Sequence, residues 1–173
     1  MRQSKPTNLY EASRQNVWDS FSEHLSGSPV GAFLIVSSAP LAEVAQTALL
    51  NSSATLGYGA SNTAFLTLFP DQAGEGEGES EGSGAEPAES KQPLAPQEIF
   101  RIIESLDPLC IVIADHQAIE DVARAFRARL EIEVPTTLLG HYCCCFEDFK
   151  AMLSRDKTKQ KAWSLLKAFP KRS

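Results

Sequence analysis

Val30-Gly-Ala-Phe-Leu-Ile-Val36 is an unbroken apolar run, and Ser37-Ser38-Ala39-Pro40 follows it directly. A run this short and this rich in β-formers suits a strand buried on both faces, the habit of parallel sheets. The serines and proline then mark a turn into a helix over Leu41–Leu50. Pro40 fits the first helical position, where its missing N–H costs nothing, and Ser38 is the expected cap. Val44, Ala45, Ala48 and Leu49 fall on one face of that helix.

The same strand-then-helix pattern recurs along the chain. Thr63–Phe69 and Leu109–Ala114 read as a second and a third buried strand, and Tyr142–Phe146 as a fourth. Between them, Pro96–Leu106 is a helix with Ile99, Ile102, Ile103 and Leu106 inward. Gln117–Arg129 is another, led by Ile119, Val122, Ala123 and Phe126. Asn8–Leu25 has helical spacing ahead of the first strand, and Glu147–Phe169 supplies one or two helices at the end; the Leu130–Leu139 connection has no assignment. Strands alternating with helices predict a three-layer, single-domain α/β architecture with about four mostly parallel strands.

With 173 residues, 43% of them hydrophobic, the chain suits one domain with a sizeable core. The net charge of −6 is unevenly placed. Between Asp71 and Pro93 there are seven acids and one lysine, whereas Lys150–Ser173 holds eight basic residues and one acid. The Gly/Glu/Pro-rich stretch 70–96 has too little apolar surface to offset its ordering entropy, so a disordered acidic loop is expected there. The segment 147–173 is expected to form a basic, helical tail. No apolar run is long enough to span a bilayer, and no secretory signal is recognisable. Four cysteines, three of them consecutive, fit a reducing cytoplasm better than a disulfide framework.

In an open parallel sheet, ligands bind beyond the carboxyl ends of the strands. Ser38 after the first strand, and Asp115 and His116 after the third, are therefore the candidate catalytic residues. Ser38 could present a hydroxyl to an anion, and Asp115 and His116 could form an acid–base pair. The plainer alternatives are that both Ser38 and Asp115 cap helices. Cys143, Cys144 and Cys145, with His141 and Cys110, invite a metal reading. No C-x-x-C pair supports it, however, and buried cysteine packs as a small hydrophobe, so neither metal nor cofactor is expected. No P-loop, G-x-S-x-G or H-E-x-x-H sequence occurs.

The most distinctive surface is the tail. There Lys157, Lys159 and Lys161 alternate with an apolar series that includes Trp163. A terminal helix docked on the domain explains this pattern. A partner surface formed by these residues, together with Trp18 and Phe21 near the start of the chain, is the sharper expectation. The partner would be a protein, with direct binding of nucleic acid through the tail as the alternative.

Phe33-Leu-Ile-Val-Ser-Ser-Ala-Pro40, followed later by Leu106-Asp-Pro-Leu-Cys-Ile-Val-Ile-Ala114, resembles the uracil-DNA glycosylase-like fold. One class of that superfamily carries Gly-Glu-Ala-Pro-Gly after its first strand. Here the motif acid's place is taken by Ser38 and the last glycine's by Leu41, and the later His-Pro-Ser motif is missing. The stretch Phe146–Lys167 is similar to the close of the psi accessory subunits of bacterial DNA polymerase III. These are small, non-catalytic α/β proteins that link a clamp loader to a partner subunit and contact the clamp loader through an N-terminal segment. The resemblance implies a non-catalytic interaction module in a DNA replication or repair assembly, with Asn8–Leu25 as the corresponding contact segment. A divergent glycosylase-like or other hydrolase acting at the sheet end is the alternative.

Overall fold

A computed structural model of the chain describes residues 8–70 and 92–173. The interior of the acidic stretch expected to be disordered, residues 71–91, lies outside the described residues. Gln92–Ala95 are coil, and Pro96 is already the first residue of a helix.

In chain order the elements are α1 (Leu9–Ser20), β1 (Leu25–Gly27), β2 (Phe33–Ser37), α2 (Glu43–Thr55), β3 (Thr63–Thr67), α3 (Pro96–Leu106) and β4 (Cys110–Ile113). They continue with α4 (His116–Phe126), β5 (Thr136–Leu138), β6 (His141–Cys145), α5 (Phe149–Met152) and α6 (Asp156–Leu166). The strands form one six-stranded mixed sheet in the order β1-β3-β2-β4-β6-β5. Its centre, β3-β2-β4-β6, is all parallel and corresponds to the four strands expected from the sequence. The expected count of about four is corrected to six, because β1 and β5 pair antiparallel at the two edges. Each is three residues long, too short for an alternating pattern to show.

Alternation along the central strands divides the core in two. Leu34, Val36, Ile111, Ile113, Cys143 and Cys145 pack beneath α1, α3 and α4. Phe33, Ile35, Cys110, Val112, Cys144 and Phe146 pack beneath α2, α5 and α6. Successive strand residues point to opposite faces, so a strand covered on both sides is buried at every position; β4 is apolar throughout and β2 up to its last residue, Ser37. Each buried branched or aromatic side chain contributes about 1.5–3 kcal/mol. This is the expected three-layer α/β arrangement.

Three local readings change. Leu25 opens β1 and does not extend the first helix, which ends at Ser20. The second helix starts at Glu43, with Ala42 as a cap that makes no side-chain hydrogen bond; Pro40 therefore lies in the connecting loop and Ser38 caps nothing. The reason is that the chain stays paired beyond β2. Leu68 N–H donates to Ser37 O at 2.9 Å and Phe69 N–H to Ser38 O at 2.7 Å, so the backbone cannot turn into a helix there. Among the described residues, no helix is long and apolar enough to cross a membrane.

Candidate functional site

The chain leaves β2 toward β3 on one side and then returns to β4 on the other, so the order reverses between β2 and β4. At such a switch point, outside the carboxyl ends, an α/β sheet usually opens a crevice. Here Asp115 spans the junction. One carboxylate oxygen accepts the N–H of Ser38 at 2.8 Å, and the other accepts the N–H of Ala118 at 2.9 Å, capping α4 as expected. The neighbouring connection is also closed, since Phe149 N–H donates to Ala114 O at 3.0 Å and His116 N–H to Glu147 O at 3.0 Å. Asp115 thus joins the ends of β2 and β4 to the start of α4. Each of its carboxylate oxygens accepts one backbone amide.

His116 points away from this junction. Its side chain is 55% exposed and lies between Glu147, 3.0 Å from Nδ1, and Glu120, 3.3 Å from Nε2. The hydrogen bond to Glu147, reinforced by the charges of both glutamates, raises its pKa above the ordinary histidine value. The sign follows from linkage. A raised folded-state pKa adds stability that is fully present below the ordinary histidine pKa and is lost as pH rises through the folded value. An NMR titration of the His116 ring should show the raised midpoint, and Glu147→Gln should bring it back down. An unchanged midpoint in that variant would rule out Glu147 as the main cause.

The cysteines are core residues. Burial raises the Cys110 thiol to about 11 and the Cys144 thiol to about 12. Cys143 and Cys145 lie side by side with sulfurs 4.0 Å apart, and their contact together with burial holds Cys143 well above the ordinary thiol range. His141 is buried on the same face but is bound elsewhere: Nδ1 lies 2.6 Å from Pro108 O and Nε2 3.1 Å from a Glu104 carboxylate oxygen. Among the described residues, no three His, Cys, Asp or Glu side chains gather to hold a metal ion.

A more open concavity lies elsewhere. Between α2 and α6 runs an open, mainly apolar groove of about 690 Å³. On the α6 side, Lys159, Ala162, Trp163 and Leu166 form its wall, the i, i+3, i+4, i+7 stripe of a helix face. Phe149 and Leu153 line it from the α5 region. The α2 wall includes Val44, Thr47, Ala48, Asn51 and Thr55. Val44 is 59% exposed although apolar, and Glu43 is the only charge in the thirteen residues of α2. Trp163 is partly buried, with the Lys167 ammonium 5.2 Å from its ring centroid.

The structure separates the residues expected to bind a partner. Trp163 and Lys159 share the groove. Trp18 and Phe21 pack, partly buried, against the core on the opposite side of the sheet, with the Arg101 guanidinium 6.0 Å above the Phe21 ring. Lys161 is ion-paired with Glu133, and Lys157 is exposed. Sequence reasoning missed the α2 wall. The available signal was the near absence of charge along a surface helix that also carries Val44 outside its buried face.

No known protein family matches the chain, and no curated protein matches it.

Proposed function

We propose that the protein is a non-catalytic interaction module whose α2–α6 groove receives an amphipathic helix from a protein partner. The observation that carries this reading is the groove itself, a mainly apolar trough between α2 and α6 with a tryptophan in its lining. Such a trough suits helix-in-groove recognition, with Trp163 as the anchor. Its charge is one-sided: Lys159 and Lys167 lie along the α6 lip, and the α2 wall is neutral beyond Glu43. The fitting helix therefore has an apolar face flanked by acids on the side that meets α6. The commitment of Asp115 to two backbone amides supports a non-catalytic role over hydrolysis at the sheet end. The likeness of Phe146–Lys167 to the psi subunits favours an accessory subunit of a DNA replication or repair assembly.

A synthetic leucine-faced helix with glutamates along one flank is the direct probe, with binding followed by calorimetry. Trp163→Ala should weaken it by about thirtyfold, the scale of an interface hot spot of about 2 kcal/mol. Val44→Glu, at an exposed position, should weaken it comparably without lowering the melting temperature. Unchanged affinity in both variants would exclude the groove. Tight binding of an oligonucleotide that weakens steeply with salt and is lost in Lys157→Glu would favour a nucleic-acid binder instead.

A further inference from the structure

The opposite end of the sheet from Asp115, where β2 and β4 begin, carries a separate cleft of about 410 Å³. Residues far apart in sequence meet there: Arg14 from α1, Val30 and Leu109 from the loops leading into β2 and β4, and Lys171 and Arg172 from the segment after α6. The cleft shares no lining residue with the α2–α6 groove.

Among the side chains that line it, beside the terminal Ser173, three cations stand against one acid. Asp107 lies in the lining, but none of the ion pairs among the described residues involves Arg14, Lys171 or Arg172. Arg172 donates to the side-chain oxygen of Asn62 at 2.7 Å, a neutral acceptor. Arg14 Nε is buried and has no hydrogen-bond acceptor among the described residues. Buried donors are almost always paired, so the Arg14 guanidinium keeps hydrogen-bonding capacity that the described residues do not use. Beside these cations, Val30 and Leu109 are 45% and 44% exposed, so the anion should carry apolar bulk next to its charge. Nucleic-acid phosphate fits less well. The aromatic ring in the lining, Tyr58, is buried and donates its hydroxyl to Pro170 O at 2.8 Å, which leaves no ring on which a base could stack.

We infer that this cleft binds a carboxylate joined to an apolar side chain, the chemistry of a protein C-terminus that ends in an apolar residue. Arg14, Lys171 and Arg172 hold the carboxylate, and Val30 and Leu109 receive the side chain.

The test uses the full chain and a fluorescein-labelled hexapeptide ending in a free phenylalanine carboxylate, read by fluorescence anisotropy. Amidating that carboxylate should weaken binding about tenfold or more, the scale of a lost charge-assisted hydrogen bond. Lys171→Glu, at an exposed position, should do the same while the melting temperature holds, and Arg14→Gln should reduce affinity as well. Trp163→Ala should leave this binding unchanged, so the cleft and the groove can fail separately. Equal binding of acid and amide, binding indifferent to Lys171→Glu, or no binding of the peptide acid would overturn the assignment. A single-stranded oligonucleotide that bound in its place would also overturn it.

Discussion

Asp115→Ala should destabilise the protein by about 3 kcal/mol. Losing the cap on α4 costs about 1 kcal/mol, and leaving the Ser38 N–H without its acceptor at the end of β2 costs about 1–3 kcal/mol more. For a chain of this size that loss corresponds to a fall in melting temperature of about 9 °C. Asp115→Asn should lose less, because one side-chain oxygen remains to accept from Ala118, but its amide group then faces the Ser38 N–H donor to donor. Urea denaturation gives the free energies, and hydrogen exchange at the Ser38 amide reports the broken contact locally. A loss under about 1 kcal/mol, within the range of ordinary surface substitutions, would mean that Asp115 does not tie the strands together. A stable variant that had lost a catalytic activity would reopen the sheet end as an active site.

Gly57→Ala should be as damaging, for a steric reason. Gly57 has φ of +92°, and a Cβ there would sit 2.0 Å from the carbonyl oxygen of Arg172. The tail backbone cannot simply retreat. Arg172 N–H donates to Leu56 O at 2.8 Å, and the Tyr58 hydroxyl to Pro170 O at the same distance. Strained backbone together with these two hydrogen bonds implies a loss of about 3 kcal/mol. The segment after Phe169 should become the first site of limited proteolysis. Gly59→Ala is the control, since φ is again positive at +69° but a Cβ would meet no atom within 4 Å. Equal losses in the two variants would show that backbone strain, not the contact with the tail, sets the effect.

The parts of the fold that the sequence displayed are those whose cause is local. A strand covered on both faces is apolar almost throughout, so residues 33–36 of β2 and Cys110–Ile113 stand out within apolar runs. Helix α3 runs over the expected residues because Ile99, Ile102, Ile103 and Leu106 recur at the helical period, with Pro96 at the start and Asp107 in a left-handed conformation at the end. Asp115 was recognisable as a cap because Ala118, its partner, is three residues away. Its second partner, Ser38, is 77 residues distant, and no local pattern announces such a bond. The start of α2 was misplaced for a similar reason. Proline and serine signals are local, but the pairing of Ser37 and Ser38 with Leu68 and Phe69 overrides them. Trp163 stood out by residue type, yet the groove needed the wall from α2, more than a hundred residues earlier, to become a site.

The two short antiparallel strands have a consequence for self-association. A sheet ending in a long, flat, apolar edge offers unpaired N–H and C=O groups to a second copy and invites edge-to-edge aggregation. Here both borders are cut to three residues by backbone that cannot continue a strand. Gly27, at φ +88°, closes β1. Around β5, Glu133 at +58° precedes the strand, and Leu139 at +46° and Gly140 at +90° follow it. The outermost ladders are thus too short and too sharply bent to template another chain, so the apolar parallel strands behind them are shielded from intermolecular growth. Concentrated protein should remain free of cross-β deposits for as long as these borders stay docked.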